Sequence, residues 1–474
     1  MRRYQEVMRL VLNQIDSGVL ASGDRIPSVR SMSARTGYSP VTVHHAYVQL
    51  EAEGVLQAHP RSGFYVAERA RQLAEFAPDW REIKDRQAQP ISLSRAFFRV
   101  SVDWESRNLA EFGSLHLSES LFPHEELGAH CLRAVRRAMA RNSGIEHSDG
   151  QMALREAVAK RIGLRGAVVR PKDVLVARSV RYCLDLCLDG TTKPGDIVLV
   201  ESPSSPTLLS ALQRRHLRAL EIYSHPAFGV DPDQFDHLLD HNDVRACVLM
   251  PTYHFPTGVS CSEDVLLRIL AKAAAKKIAI IENDTCGDLA HDPSLRRTLF
   301  ELDVDDVVLQ FGSFREVVGS PFGFGWILAR GQQEQLRELN FFDDPIAGTG
   351  VLQQALADYM GTRHYERHMG RLRSELTSRV RRGLGLISQL FPKECAVSRP
   401  DGGFMCWMRA PGWFDAMGAA EEATKLQISY APGQIFSVTN SYRNFLALNL
   451  SFDWDAARIE KLRRLAALLT QERP

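Results

Sequence analysis

Two groups of polar residues in this 474-residue chain have the types and spacing to do chemistry. The first lies near the N-terminus: Arg25, Ser28, Arg30, Ser39, Thr42, His44 and His45, followed by Arg61 and Gly63. Ser39 and Thr42 stand where a helix would open, and free N–H groups plus hydroxyls at a helix start suit phosphate oxygens. Arg25 and Arg30 can fix a phosphate backbone. Arg61 and Gly63, at the tip of an expected hairpin, could reach a minor groove. A neutral His44 or His45 donates only one hydrogen bond, so any base reading rests on few contacts. The second group is scattered through the middle of the chain. Arg178 and Arg181 flank Ser179 at another helix start and read either as an anion grip or as a surface pair. Cys286 could be a nucleophile but reads better as a buried structural thiol. Lys193, Lys272, Lys276 and Lys277 read as solvated charges.

These residues need elements to hold them. Residues 5–16 place Val7, Leu10, Val11 and Ile15 on one side of a helix. Pro27-Ser28 opens a second helix, capped by Ser28 and running to about Thr36. Ser39-Pro40 opens a third to about Glu53, with Pro40 where its missing N–H costs nothing and with Val43, Tyr47 and Leu50 on one face. Val55–Ala58 and Phe64–Val66, across a turn at His59–Gly63, read as a hairpin. Three short helices and a hairpin make a winged helix, placed at residues 1–68. Residues 69–105 are mixed and polar, and read as a linker that is partly helical. Beyond them the rhythm changes. Apolar runs at Val174–Ala177, Ile197–Val200, Ala246–Met250, Ile278–Ile281, Val307–Phe311 and Trp326–Ala329 alternate with helical stretches, the pattern of an α/β domain with a mainly parallel sheet. Residues 350–390 look long-helical, and a strand-rich piece with Gly402–Met408 and Leu446–Phe452 precedes a last helix.

Composition narrows the function classes. Hydrophobic residues are 45% and charged residues 24%, a soluble globular balance. No apolar run of about 18 residues is present, so no membrane span is expected. The start of the chain leads into a helix with Glu6, Asn13 and Gln14, unlike a signal peptide, and a cytoplasmic location is expected. The eight cysteines (Cys131, Cys183, Cys187, Cys247, Cys261, Cys286, Cys395 and Cys406) form no CxxC pair, which disfavours zinc and dithiol chemistry and suggests reduced buried thiols. No metal site is expected. The net charge of +1 does not announce a nucleic-acid binder, so a DNA footprint must be a local stripe of arginines.

Some of these stretches also carry a family likeness. Gly23–Arg30, Thr36–Val43 and Leu50–Leu56 resemble, in order and spacing, the winged-helix domain of the GntR regulators. Further on, Gly150–Arg155, Arg165-Gly166, Lys193–Asp196 before Val200–Pro203, Pro256-Thr257-Gly258, Ile281–Asp284, Gly312-Ser313-Phe314, Gly325-Trp326, Asp401–Phe404 and Pro432–Phe436 resemble the fold-type I aminotransferases. The combination is similar to the MocR subgroup. The resemblance implies a multidomain chain: a mostly α winged helix-turn-helix with a β-hairpin wing, then an α/β aminotransferase-like domain at 106–474. That domain has a large part at about 146–345 and a smaller α+β part at about 360–474.

The resemblance also implies a pyridoxal phosphate site, and here this chain departs from it. The family's Schiff-base lysine follows Gly-Ser/Thr-Phe-Ser; here Gly312-Ser313-Phe314 leads to Arg315 and Glu316, so Glu316 takes its place. A carboxylate cannot form an imine. The phosphate-binding arginine falls at Gly323, and the Ser-Gly-Ala-type loop reads Arg178-Ser179-Val180-Arg181. The pyridine-nitrogen aspartate falls at Asn283, or at Asp284 with a one-residue shift. The ring-oxygen tyrosine falls at Cys286, and the substrate-carboxylate arginine at Ala447. No cofactor is therefore expected; non-covalent pyridoxal phosphate is the alternative. The reading is a homodimeric transcriptional regulator that binds double-stranded DNA, with an inactive aminotransferase-like domain that could sense a small-molecule effector. Two other readings stay open: a pyridoxal phosphate aminotransferase or responsive regulator with a DNA-binding appendage, and a protein whose winged helix contacts protein.

Overall fold

A computed structural model describes residues 3–16, 19–21, 23–52, 54–59, 62–67, 71–72, 87–91, 98, 102, 109, 111–141, 149–292, 297–342, 349–439 and 441–470. Arg61 lies outside the described residues.

The N-terminal unit is α1 (Arg3–Asp16), α2 (Val29–Thr36) and α3 (Pro40–Ala52), then a hairpin of β1 (Leu56–His59) and β2 (Gly63–Val66). Antiparallel pairing runs from Leu56↔Val66 to His59↔Gly63. Ser28 caps α2, its Oγ accepting from Ser31 N–H at 3.2 Å. Gly37 ends that helix in the left-handed region at φ 73°, where glycine meets no Cβ clash. The periodic residues do what their spacing asks except Leu10, which was expected on the buried side but is 43% exposed, because it stands about 100° round the helix from Val11. Val7, Val11 and Ile15 of α1 close over Val43, Ala46, Tyr47 and Leu50 of α3, with Met32, Leu56 and Val66 completing one core. Each fully buried aliphatic side chain there contributes about 1.5–3 kcal/mol. Tyr47, fully buried, donates its hydroxyl to the Pro27 carbonyl at 2.8 Å, so its polar tip is satisfied and α3 is tied to the turn before α2.

The second architecture is a nine-stranded sheet. Its strands are β4 (Gln89–Pro90), β5 (Val174–Ala177), β6 (Ile197–Ser202), β7 (Arg218–His225), β8 (Gly229–Val230), β9 (Val244–Leu249), β10 (Ala279–Asn283), β11 (Val308–Ser313) and β12 (Gly325–Leu328). The order is β4-β7-β6-β9-β10-β11-β12-β5, with β8 paired to β7. β7, β6, β9, β10 and β11 run parallel; β12 is antiparallel to both its neighbours. The central strands are buried on both faces, which is why they read as continuous apolar runs. β7 was missed in the sequence, because Glu221 interrupts its apolar run; the structure buries that carboxylate, 3% exposed.

The smaller sheet uses β13 (Ala396–Val397), β14 (Met405–Arg409), β15 (Ala431–Pro432) and β16 (Phe445–Asn449). A two-residue strand from far upstream, β3 (Arg71–Gln72), pairs with β13 and gives the order β15-β16-β14-β13-β3. Thus the stretch read as a linker contributes an edge strand to each sheet, β3 here and β4 against Ala219 and Arg218. Phe98 and Val102 within it are helical. Edge pairing uses backbone groups alone and leaves little trace in side-chain pattern. The long-helical stretch is two helices, Gly350–Met360 and Arg363–Leu390, the second capped by Thr362.

Candidate nucleic-acid interface and the edge of the large sheet

The winged helix brings the N-terminal group together. Ser39 Oγ accepts from Thr42 N–H at 3.2 Å, capping α3, and lies 2.9 Å from Thr42 Oγ1. His44 and His45 are exposed on its next turn. The His45 ring packs on Tyr4 of α1, centroids 4.5 Å apart, and His44 meets Phe64 of β2 edge-on at 6.3 Å. Arg25 and Arg30 are exposed. Arg25 forms an isolated antiparallel bridge with Tyr65, and its guanidinium lies over Gly63, 3.7 Å from where a Cβ would stand. Gly63 has φ 103°, so a side chain there would be strained in the backbone even though it would meet Arg25 only at van der Waals distance. His44 of α3 and Arg25 ahead of α2 thus both lie against the hairpin.

The second group lies where parallel strands end. Asn283 closes β10 in register with Phe311 of β11; Ser313 closes β11 opposite Gly325 of β12; Gly325 pairs with Ala177, the residue before Arg178. That carboxyl-end edge is where open α/β sheets place their ligands. Asn283 Oδ1 accepts from Thr285 N–H at 3.0 Å. The buried Asp284 faces Arg165 Nη1 at 3.1 Å, and Arg165 and Arg161 both pair with Asp288. Cys286 is 4% exposed, and burial pushes its thiol well up, with Glu316 and Asp284 adding to the effect. Glu316 sits on the single turn Arg315–Val318, half-buried. Burial raises its carboxyl above the usual range, the Ser313 hydroxyl working against that. Its Oε2 is enclosed without a hydrogen-bond partner. Ser313 Oγ also accepts from Arg315 N–H at 3.0 Å. Gly323 is half-buried in the turn after Ser320–Phe322.

The helix Val180–Thr191 starts at this edge. Ser179 caps it, its Oγ accepting from Tyr182 N–H at 3.1 Å. Arg178 is exposed and stacks over the Tyr182 ring at 3.9 Å. Arg181 is turned to Asp185 (3.2 Å) and the Thr207 carbonyl (3.1 Å). Ala447 is not at this edge: it is fully buried in β16, paired with Trp407 and Ala431. Of the expected lysines, Lys272 and Lys276 pair with Asp240, each at 2.7 Å. No cluster of potential metal ligands occurs among the described residues, and no described helix is long and apolar enough to cross a membrane.

Sequence reasoning missed a polar network at the ends of β6, β7 and β9. Glu201 Oε2 accepts from Met250 N–H at 2.5 Å, while Oε1 accepts from Ser224 Oγ at 3.3 Å and lies 3.7 Å from His254 Nε2. His254 Nδ1 is 2.9 Å from Thr257 Oγ1, and burial lowers the imidazole pKa. Glu221 accepts from Ser202 Oγ at 3.2 Å and Val438 N–H at 3.1 Å. The signal was present in Val200-Glu201-Ser202-Pro203 and in His254 before Pro256-Thr257-Gly258. No spacing rule joins segments that far apart. A second such residue is His291, whose two ring nitrogens each lie 3.1 Å from a carbonyl, of Pro400 and of Gly403.

Comparison with known proteins agrees with this architecture. Residues 3–66 match the family of bacterial regulatory proteins, gntR family, and residues 115–447 match aminotransferase class I and II. The chain is 29% identical to an HTH-type transcriptional regulator of Escherichia coli, YdcR, over 100% of both chains. It is 26% identical to the HTH-type transcriptional regulator TauR of Rhodobacter capsulatus, over 97% of this chain and 95% of that one. The α-aminoadipate aminotransferase LysN of Thermus thermophilus has the same fold, with a TM-score of 0.71 at 23% identity over 83% of this chain and 98% of that one. The chain therefore belongs to the class I and II aminotransferase family over most of its length and carries, at its N-terminus, a helix-turn-helix domain of the gntR family of bacterial regulatory proteins.

Proposed function

We propose that this protein is a cytoplasmic, homodimeric, DNA-binding transcriptional regulator whose aminotransferase-like domain does no transamination and serves for assembly and for sensing an effector. Glu316 carries the second half of this reading. A half-buried carboxyl, one Oε enclosed without a partner, follows the end of β11 where the family's chemistry needs an amine. The residues around it do not fit pyridoxal phosphate as an imine. Gly323 offers no cation, and Ser179 uses its hydroxyl as a helix cap. Arg178 and Arg181 are engaged with Tyr182 and Asp185. The Cys286 thiol is buried, and Ala447 supplies only a methyl group in a strand core. An anionic Glu316 would also repel a phosphate ester.

DNA binding rests on α3, its Ser39–Thr42 start, and the exposed Arg25 and Arg30 of the same unit. A C2 dimer would present two such helices to a two-fold site, with half-site spacing set by the dimer. An effector would act by binding one arrangement of the pair better than the other. The test is an absorbance spectrum of the purified protein with and without pyridoxal phosphate, beside a titration with duplex DNA at several salt concentrations. No visible aldimine band, with salt-dependent DNA binding, is expected. A band trapped by borohydride on a lysine peptide would instead establish the aminotransferase reading, and loss of all DNA binding would favour a winged helix that contacts protein.

A further inference from the structure

Helix α3 has a buried face and an exposed one. Val43, Ala46, Tyr47 and Leu50 are wholly buried. The opposite face carries Val41, His44, His45 and Val48, at i, i+3, i+4 and i+7, all exposed. Within it the two imidazoles have neighbours, Tyr4 and Phe64. Val41 is 79% exposed, against 38% for Val48. An isopropyl group held in water on the first turn of a helix has no part in folding the domain that bears it.

We propose that Val41 reads the 5-methyl group of a thymine in the major groove, and so sets part of the operator sequence. This rests on the DNA-binding reading above and deepens it. Three observations carry it. Val41 lies on the first turn of α3, the end that meets base edges in helix-turn-helix docking. It adjoins the Ser39–Thr42 pair at the helix start, which suits phosphate oxygens, and the same N-terminal unit exposes Arg25, Arg30 and Arg35, cations that suit a polyanion. Finally, a valine has no donor or acceptor, and among the four bases only thymine offers an apolar group in the major groove. Its contact would also remove the isopropyl group from water. Val41 thereby adds an apolar contact beside His44 and His45, which offer few hydrogen bonds.

The experiment uses the full-length protein. An operator is selected from random duplex DNA, and each thymine in it is then replaced singly by uracil, which removes only the methyl group. The wild type is expected to lose about fourfold in affinity at one position per half-site, the loss of one buried methyl. Val41→Ala should bind the thymine operator about that much more weakly and be indifferent to uracil at that position, while responding normally elsewhere. Val41→Thr, which keeps one methyl, should fall between. Specific binding in which no uracil effect disappears in Val41→Ala overturns the thymine assignment and leaves DNA binding standing. Absence of any sequence-specific binding overturns both.

Discussion

Arg165 Nη1 stands 3.1 Å from Asp284 Oδ2, and the aspartate side chain is 1% exposed. The same guanidinium reaches Asp288, to which Arg161 also pairs. Asp284 and Asp288, just past the end of β10, are therefore tied to Arg161 of the helix Met152–Gly163 and to Arg165 just beyond it, and the Asp284 carboxylate is already paired.

Removing one partner of a buried pair leaves a stranded charge. Arg165→Met is expected to destabilise the aminotransferase-like domain by about 3 kcal/mol. The double variant Arg165→Met/Asp284→Asn should recover part of the loss. Thermal unfolding of the single and double variants checks this; equal losses in both would show that the pair does not anchor the edge.

Glu316→Lys by itself is expected not to yield transaminase turnover. The amine would be restored, but Gly323 and Ala447 still provide no cation for phosphate or substrate carboxylate, and Arg178 and Arg181 remain engaged. An amino-transfer assay on the single variant, with pyridoxal phosphate added, decides the point. Sustained turnover would mean that one side chain alone disables the site.

Arg30 is exposed on the first turn of α2. As a phosphate contact, its loss in Arg30→Ala should weaken DNA binding across all sequences and lower the salt slope by about one. His44→Ala should instead blur sequence preference. Gel shifts on matched and scrambled duplexes separate the two effects, and unaltered binding in both variants would remove α3 from the groove.

Acid should weaken the fold through His291. Burial lowers its pKa from the ordinary 6.5 to about 4, the carbonyls of Gly403 and Pro400 pulling the other way. A histidine depressed in the folded state is neutral there, while the unfolded chain takes up the proton. Stability is therefore lost as pH falls from about 6.5 towards 4, by at most about 3 kcal/mol from this group. His291→Gln should flatten the dependence of melting temperature on pH in that window. An unchanged profile would assign the acid sensitivity elsewhere.

Much of this protein was determined by local order in the sequence. The spacing of Val7, Val11 and Ile15, the Ser28 cap and the Pro40 helix start specify α1 to α3, because a helix buries whatever recurs every three or four residues. The apolar runs specify the buried strands in the same way, and glutamate at position 316 rules out imine formation there whatever the fold. Tertiary structure alone decided what the polar residues face. Glu201 meets His254 and Asp284 meets Arg165, because those partners come from strand ends and loops far apart in the chain. It also decided that Val41 stands in water while Val43 is buried. Both are valines on one helix, and only the packing of α1 and the hairpin against a single face separates them.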